Sequence, residues 1–175
     1  MPEISETRAR VIDSLYIEAI RQGQPTWFRV ASGSMRPLIH MGDSVYIEPA
    51  QAISVGDIAA FETPEGLVIH RIVRRQTGAA GTRYLEMGDM QFSANWFDEQ
   101  AVVGRVTLVR SGTTQIDLRL SIAKRYGKLS AQLRYRLYCL HTHLPLLRVV
   151  VRKCATLVAR LAYLRMRPAA IPLNE

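Results

Sequence analysis

The sequence predicts a mainly β domain, built as a bent antiparallel sheet or open barrel, with a short helix before it and a basic helical extension after it. Apolar residues recur at helical spacing before residue 23, short strand-like runs broken by glycine and proline follow, and the helical spacing returns beyond residue 117. Strand-like runs that recur about every ten residues with turn residues between them are typical of antiparallel all-β domains. We therefore divide the chain into a helical segment 1–26, a β domain 27–117 and a helical extension 118–175.

The first helix is predicted over residues 5–22. Ser5 is a suitable N-cap, and Gly23 and Pro25 provide the stop. The apolar residues form one stripe, which we expect to pack on the body of the domain. The stripe consists of Val11, Ile12, Leu15, Tyr16, Ala19 and Ile20.

Six strands are predicted in the β domain, because apolar and β-branched runs alternate there with turn residues. Glycine-aspartate pairs mark several of the turns, at Gly42-Asp43, Gly56-Asp57 and Gly88-Asp89. The predicted strands are Trp27–Ala31, Ser44–Ile47, Ile58–Glu62, Leu67–Val73, Arg83–Met87 and Val102–Val109.

Two helices are predicted in the extension, from about Leu118 to His143 and from about Leu146 to Met166, with Pro145 between them. In the second helix the cations share one side of the helical wheel, and leucine and valine fill much of the rest. This pattern is typical of a basic amphipathic helix. The cations are Arg148, Arg152, Lys153 and Arg160.

The positive charge of the chain is concentrated in the extension. Residues 1–117 carry 11 Arg, no Lys and 14 acids, whereas residues 118–175 carry 12 Lys and Arg against one acid, Glu175. Such a segment needs an acidic partner, either nucleic acid or anionic lipid headgroups. Because DNA would leave the apolar face of the second helix uncovered, we expect an anionic membrane surface and no nucleic acid. Packing of that face on the β domain, or on a second copy of the extension, is the alternative.

No secretory signal is found at the N-terminus, and no segment reaches the ~18 charge-free apolar residues of a membrane-spanning helix. We therefore expect a protein on the cytoplasmic side that associates peripherally with the membrane. The composition, 48% apolar and 22% charged, supports a packed core and excludes a disordered or fibrous chain. Two cysteines are too few for a disulfide framework, and we expect no metal and no organic cofactor.

The segment Ser32-Gly33-Ser34-Met35-Arg36-Pro37 directly follows the first predicted strand. A serine just past a strand end can project its hydroxyl over the sheet edge, and its own backbone N–H can point into an oxyanion hole. Ser34 is therefore a candidate nucleophile. A Ser-Gly-Ser sequence is also common in turns, so a purely structural turn is the alternative.

Four short segments follow one another in an order that resembles the type I signal peptidases and the wider superfamily that includes the self-cleaving SOS-response repressors. The segments are Ser32–Pro37, Val68–Val73, Gly88-Asp89 and Val103–Val106, and the resemblance covers about residues 27–109. It implies the signal-peptidase type of β fold and a serine endopeptidase with Ser34 as nucleophile.

The resemblance also implies a general base near the serine. Bacterial signal peptidases and the repressors use a lysine, whereas the endoplasmic-reticulum and archaeal branch uses a histidine. The only lysines of this chain, Lys124, Lys128 and Lys153, lie in the extension, and His70 occupies the position of the base. Imidazole can accept a proton near neutral pH. The sequence thus resembles the histidine-using branch, and a half-buried structural histidine is the alternative.

Two further roles follow from the resemblance. An acid after Gly88 is expected to orient His70, and we predict Asp98 for this role, with Asp89 as the alternative. A hydroxyl two residues before the nucleophile can help to stabilise the oxyanion, which makes Ser32 a candidate beside the N–H of Ser34.

Together these features predict a serine endopeptidase that cleaves an extended leader or precursor peptide. Two other classes stay open: a repressor-like DNA-binding regulator, and a catalytically inactive peptide-binding module with the same fold. Residues 1–26 are too few for a helix-turn-helix domain, and the presence of both Ser34 and His70 argues against an inactive module.

Overall fold

The structure is a computed structural model that describes residues 2–49 and 52–143, the single positions 153, 156, 157, 160 and 164, and the backbone of 170–172, with side chains from residue 11 onward. Helix α1 covers Pro2–Arg21 and helix α2 covers Ser121–His143. The strands are β1 Thr26–Arg29, β2 Ser44–Glu48, β3 Ile58–Thr63, β4 Gly66–Gly78, β5 Gly81–Met87, β6 Ala94–Asp98, β7 Val102–Ser111, β8 Thr114–Asp117 and β9 Ala170–Pro172.

The predicted fold class is confirmed: the domain is mainly β, with a curled antiparallel sheet, an N-terminal helix and a C-terminal helix. The six predicted strands correspond to β1 to β5 and β7. The sequence analysis missed β6, whose exposed polar and aromatic residues lack a clear apolar alternation, and β8, which is only four residues long.

The strands follow the order β1-β2-β7-β3-β4-β5-β6, with β8 beside β7 and β9 beside β8. Two features of this order create an open edge. Strand β1 is the end of the path and pairs with β2. Strand β4 pairs with β3 along Gly66–Arg71 but with β5 only from Arg71 onward, so the start of β4 has one side without a neighbouring strand among the described residues.

Helix α1 contributes to the main hydrophobic core through Ile17 and Ile20, which pack with core residues of the sheet such as Val45 and Val106. The predicted apolar stripe is only partly buried, because Val11, Ile12 and Leu15 are exposed. Ile17 and Ile20 therefore anchor the last turns of the helix in the core.

Helix α2 is part of the body of the domain. Its buried face is made mostly of small residues, which lets the helix backbone approach the turn before β3 closely. A Cβ placed on Gly127 would lie 2.6 Å from the carbonyl oxygen of Gly56, and one placed on Gly56 would lie 2.6 Å from the backbone nitrogen of Lys128. Glycine at both positions permits this contact.

The opposite face of α2 is exposed and basic. Lys124, Arg125, Lys128 and Arg136 all lie on it. The second predicted helix, 146–166, falls mostly outside the described residues. Neither α1 nor α2 is long and apolar enough to cross a bilayer. The described residues contain no other candidate membrane-spanning helix.

Candidate active site

Ser34 lies in the turn that follows β1, close to the open edge of the sheet. The next residue, Met35, is only 2% exposed and anchors the turn in the main core. From the other side, the N–H of Met90 donates a hydrogen bond to the carbonyl oxygen of Ser34 at 2.7 Å. The backbone of Ser34 is thus held by the core and by the loop after β5.

His70 lies on β4, just before the point where β4 begins to pair with β5. Its Nε2 is 3.1 Å from Oγ of Ser34, within hydrogen-bond distance. The imidazole is largely buried, with 13% of the side chain exposed. The structure therefore brings together the two predicted residues, although 36 positions separate them in the chain.

The other ring nitrogen of His70, Nδ1, is hydrogen-bonded to Oε2 of Glu86. Glu86 is fully buried on β5 and lies opposite Ile72, so it is a diagonal neighbour of His70 on the same face of the sheet. Its second carboxylate oxygen accepts a hydrogen bond from Nδ2 of Asn95 at 2.9 Å. With Nδ1–H donating to Glu86, Nε2 is the unprotonated nitrogen, and the hydroxyl of Ser34 can donate to it.

The prediction that Asp98 contacts His70 is wrong. Asp98 is at the end of β6, its side chain is 67% exposed, and it forms a surface ion pair with Arg83 at 3.0 Å. Strand β6 is separated from β4 by the whole of β5, so its last residue cannot reach the imidazole.

Asp89, the alternative, also has other partners. Its carboxylate forms two hydrogen bonds with the guanidinium of Arg71, at 2.9 and 2.7 Å, and lies 3.1 Å from Nε of Arg134 on α2. All three side chains are buried. Burial opposes the ionisation of Asp89, but the two guanidinium groups outweigh it and hold the pKa of this carboxyl below its ordinary value.

The contacts within this cluster also explain why the pKa of one arginine is raised and that of the other is lowered. For Arg71 burial lowers the pKa, but the contacts with Asp89 outweigh it and the pKa is raised. For Arg134 burial dominates, so its pKa is lowered although Asp89 stabilises its charge. Asp89 therefore neutralises a buried ion cluster and does not orient the imidazole.

Gly88 brings this cluster next to the candidate catalytic residues. A Cβ at this position would lie 3.1 Å from Nε2 of His70 and 3.1 Å from the carbonyl oxygen of Ser34. Only the absence of a side chain allows the loop to pass so close to both residues. The glycine of the predicted Gly-Asp turn thus shapes the site, and its neighbour Asp89 holds the loop in place.

One feature of the sequence indicates that Glu86 is a buried acid with a partner. It stands in the predicted strand Arg83–Met87, between Leu85 and Met87, and so is a single acid in an apolar strand. A carboxylate in such a position needs a buried partner. Finding that partner requires the pairing of β4 with β5, which is a tertiary feature.

Ser32 is also near the site. Its Oγ lies 3.4 Å from Oγ of Ser34, and either hydroxyl can donate. Ser32 and Ser34 both line the groove beside the site.

A groove of about 630 Å³ runs past Ser34 and His70. One wall is residues 28–32, which follow the open edge of β1, and the other is Leu67–His70 of β4. Helix α1 closes one end, where Oδ2 of Asp13 accepts a hydrogen bond from the N–H of Leu67 at 3.2 Å. The lining is largely apolar and includes Ile12, Tyr16, Phe28, Met35, Ile39 and Ile69.

The curled β fold and the Ser34–His70–Glu86 arrangement are those of a serine peptidase-type domain. The Peptidase S24-like family model matches residues 3–107, which is more than half of the chain, and the chain belongs to this family. The match places the chain in the superfamily of signal peptidases and self-cleaving repressors, which includes both proteases and repressors. No curated protein matches the chain at a significant level.

Asp89→Asn is expected to destabilise the domain, because it leaves two buried guanidinium groups without their anion. Removal of one partner of a buried ion pair costs about 3–5 kcal/mol. In the wild type, the contribution of Asp89 is present above its unfolded pKa of about 4 and is lost as the pH falls below it, because the folded-state pKa is depressed. Urea unfolding at pH 7 and at pH 3 measures both effects.

Asp98→Asn is the matched control for this prediction. Its exposed pair with Arg83 contributes at most about 1 kcal/mol. Equal free energies of unfolding for the two variants would contradict the assignment of Asp89 as the anion of the buried cluster.

Proposed function

We propose that this protein is a serine endopeptidase in which Ser34 is the nucleophile, His70 the general base and Glu86 the residue that orients His70. The observation that carries the proposal is the continuous arrangement Ser34 Oγ–His70 Nε2, at 3.1 Å, and His70 Nδ1–Glu86 Oε2, at the edge of an open groove. The family membership of the chain supports a peptidase-type domain.

In the first step Oγ of Ser34 attacks the scissile carbonyl carbon, and its proton passes to Nε2 of His70. The negative charge of Glu86 stabilises the imidazolium that forms and keeps Nδ1 protonated. The imidazolium then gives its proton to the leaving amine, and the peptide bond breaks to leave an acyl-enzyme. Water, deprotonated by the same His70, hydrolyses this ester and restores Ser34.

The oxyanion of the tetrahedral intermediate is proposed to lie between the N–H of Ser34 and the hydroxyl of Ser32. The 3.4 Å distance between the two hydroxyl oxygens supports this location for Ser32. One well-placed donor contributes about 3 kcal/mol of transition-state stabilisation.

The substrate is proposed to bind as an extended strand in the groove. The open edge of β1 and the unpaired side of β4 beyond Leu67, whose own N–H is bonded to Asp13, both offer backbone hydrogen bonds to a peptide between them. The apolar lining favours apolar side chains next to the cleaved bond. A leader or precursor peptide in an extended conformation meets these requirements.

The use of histidine supports a finer assignment, to an enzyme that resembles the endoplasmic-reticulum and archaeal branch of the signal peptidases. The three lysines of the chain, Lys124, Lys128 and Lys153, are all exposed, whereas His70 contacts Ser34, which supports histidine as the base of this site. Processing of a precursor on the cytoplasmic side is the activity that we propose for it.

We further propose that the basic extension binds an anionic membrane. The support is the exposed face of α2, where four cations lie opposite the face that packs on the sheet. Residues 118–174 contain 12 Lys and Arg and no acid. Each cation close to an anionic surface contributes on the order of 1 kcal/mol.

Ser34→Ala is expected to abolish peptide cleavage with little change in the midpoint of thermal unfolding, since the hydroxyl faces the groove. The loss of kcat should be on the order of 10⁶. The protein is incubated with a mixture of unstructured peptides, and the products are identified by mass spectrometry. Ser93→Ala, an exposed serine in the loop before β6, is the control and should cleave as the wild type does.

Turnover that persists in Ser34→Ala would exclude Ser34 as the nucleophile. Binding of peptides by the wild type without any cleavage would favour the inactive peptide-binding module instead.

Glu86→Gln is expected to lower kcat by about 10⁴, because the amide can hold the wrong tautomer of His70. Asp98→Asn should have no such effect, since Asp98 lies on the far strand. In the wild type, activity should fall on the acid side, because a protonated imidazole cannot accept the serine proton. The measurement is kcat/KM of each variant between pH 5 and 9.

An equal loss in Glu86→Gln and Asp98→Asn would contradict the role of Glu86. A rate that does not change with pH while chemistry is limiting would contradict His70 as the base.

Membrane binding is tested by co-sedimentation with vesicles of phosphatidylserine and phosphatidylcholine. Binding should require the anionic lipid and weaken with salt. The triple variant Lys124→Glu, Lys128→Glu, Arg136→Glu should bind much less, whereas the control triple Arg75→Glu, Arg83→Glu, Arg110→Glu, on exposed strand positions, should bind as the wild type does. Equal loss in both variants, or no binding by the wild type, would contradict the proposal.

A further inference from the structure

Helix α2 lies outside the residues that the family model matches, 3–107, and yet it places a buried charge beside the loop that holds the nucleophile. We propose that Arg134 is a positioning residue of the active site, which fixes the Gly88–Met90 loop against Ser34 and His70, and that α2 is therefore part of the catalytic apparatus. The kinetic part of this inference rests on the proposed peptidase function.

The first observation is the set of contacts that Arg134 makes. Its Nε lies 3.1 Å from Oδ1 of Asp89, and its Nη1 donates to the carbonyl oxygen of Gly88 at 3.4 Å. The side chain is only 6% exposed. One guanidinium thus holds two consecutive residues of the loop, which requires its planar, forked geometry.

The second observation is what this loop touches on its other side. Met90 donates its N–H to the carbonyl oxygen of Ser34 at 2.7 Å. Gly88 passes so close to His70 that a Cβ would lie 3.1 Å from Nε2. The loop therefore lies between Arg134 and both reacting side chains, and a shift of the loop moves Ser34 relative to the imidazole.

The third observation is that charge neutralisation of Asp89 does not require Arg134. Arg71 already binds both carboxylate oxygens of Asp89, at 2.9 and 2.7 Å. Burial of a second guanidinium is unfavourable and lowers the pKa of Arg134. The contact that Arg134 adds is the one to the carbonyl oxygen of Gly88, which is a contact with the loop itself.

A residue that only fastens α2 to the sheet would alter the stability of the domain without changing kcat of the folded protein. The two roles are separated with Arg134→Met, which removes the charge and the fork, and Arg134→Lys, which keeps the charge and loses the fork. Gln132→Met, at an exposed position two residues earlier on the same helix, is the matched control.

Three quantities are measured on the full chain, well below the unfolding temperature of each variant: the hydrogen exchange rate of the Met90 amide, and kcat and KM for a cleaved peptide. In Arg134→Met the Met90 amide should exchange faster, and kcat should fall on the order of 10² at nearly unchanged KM.

Arg134→Lys should likewise show faster exchange of the Met90 amide and a lower kcat, because it keeps the charge but loses the forked geometry. Should Arg134→Met fail to fold, this variant decides the matter through the exchange rate. Wild-type values of all three quantities in Arg134→Lys and in every folded Arg134→Met sample would overturn the proposal.

The exchange measurement needs no substrate. A wild-type chain that cleaves nothing, while its Met90 exchange rate still responds to Arg134→Met, would refute the peptidase function and leave the positioning contact established. Normal cleavage through Ser34 together with no response to Arg134→Met would refute the positioning role alone.

Discussion

The buried ion cluster of Asp89 with Arg71 and Arg134 is the constraint on which the rest of the site depends. It joins three parts of the chain that are far apart in sequence: β4, the loop after β5, and α2. Buried charges of this kind tolerate few geometries, because each lost partner leaves an unsolvated charge. The loop is consequently fixed where it contacts Ser34 and His70. The ion cluster has no proposed catalytic role itself, but it fixes the position of the loop beside Ser34 and His70.

Around this constraint the site is assembled from neighbouring strands and one turn. His70 and Glu86 meet because β4 and β5 pair in a register that makes them diagonal neighbours, and Asn95 on β6 holds the other oxygen of Glu86. Ser34 comes from the turn after β1, at the end of the sheet path. Strand β4 has no neighbouring strand on one side along Leu67–His70 among the described residues, and this part of β4 forms one wall of the groove beside Ser34. The sheet that holds His70 against Glu86 therefore also lines the groove.

The family match covers most of the sheet but ends before helix α2. The Peptidase S24-like match covers α1 and the strands up to β7, and establishes the superfamily. It does not cover α2, whose small, buried face packs against Gly56 and whose Arg134 reaches the loop beside the nucleophile. The role of α2 is therefore inferred from contacts and buried charge alone. The proposed positioning role and the proposed membrane contact would use opposite faces of α2.

The class of fold and most of the strands could be predicted from the sequence, because strand periodicity and turn residues are local properties of the chain. Ser34 and His70 could be predicted as nucleophile and base because they stand in ordered motifs that resemble those of a known superfamily. It also contained Glu86 as an isolated acid in an apolar strand, but it could not show what that acid contacts. Asp98 was chosen by its distance along the chain from Gly88, and the sheet places it two strands away from His70, on an exposed edge. Three contacts are visible only in the tertiary structure. These are the contact of His70 with its carboxylate partner, the pairing of Asp89 with two arginines, and the packing of α2 on the sheet. The physical reason is that each depends on strand register and on the burial of charge, which arise when distant segments pack and have no counterpart in local spacing.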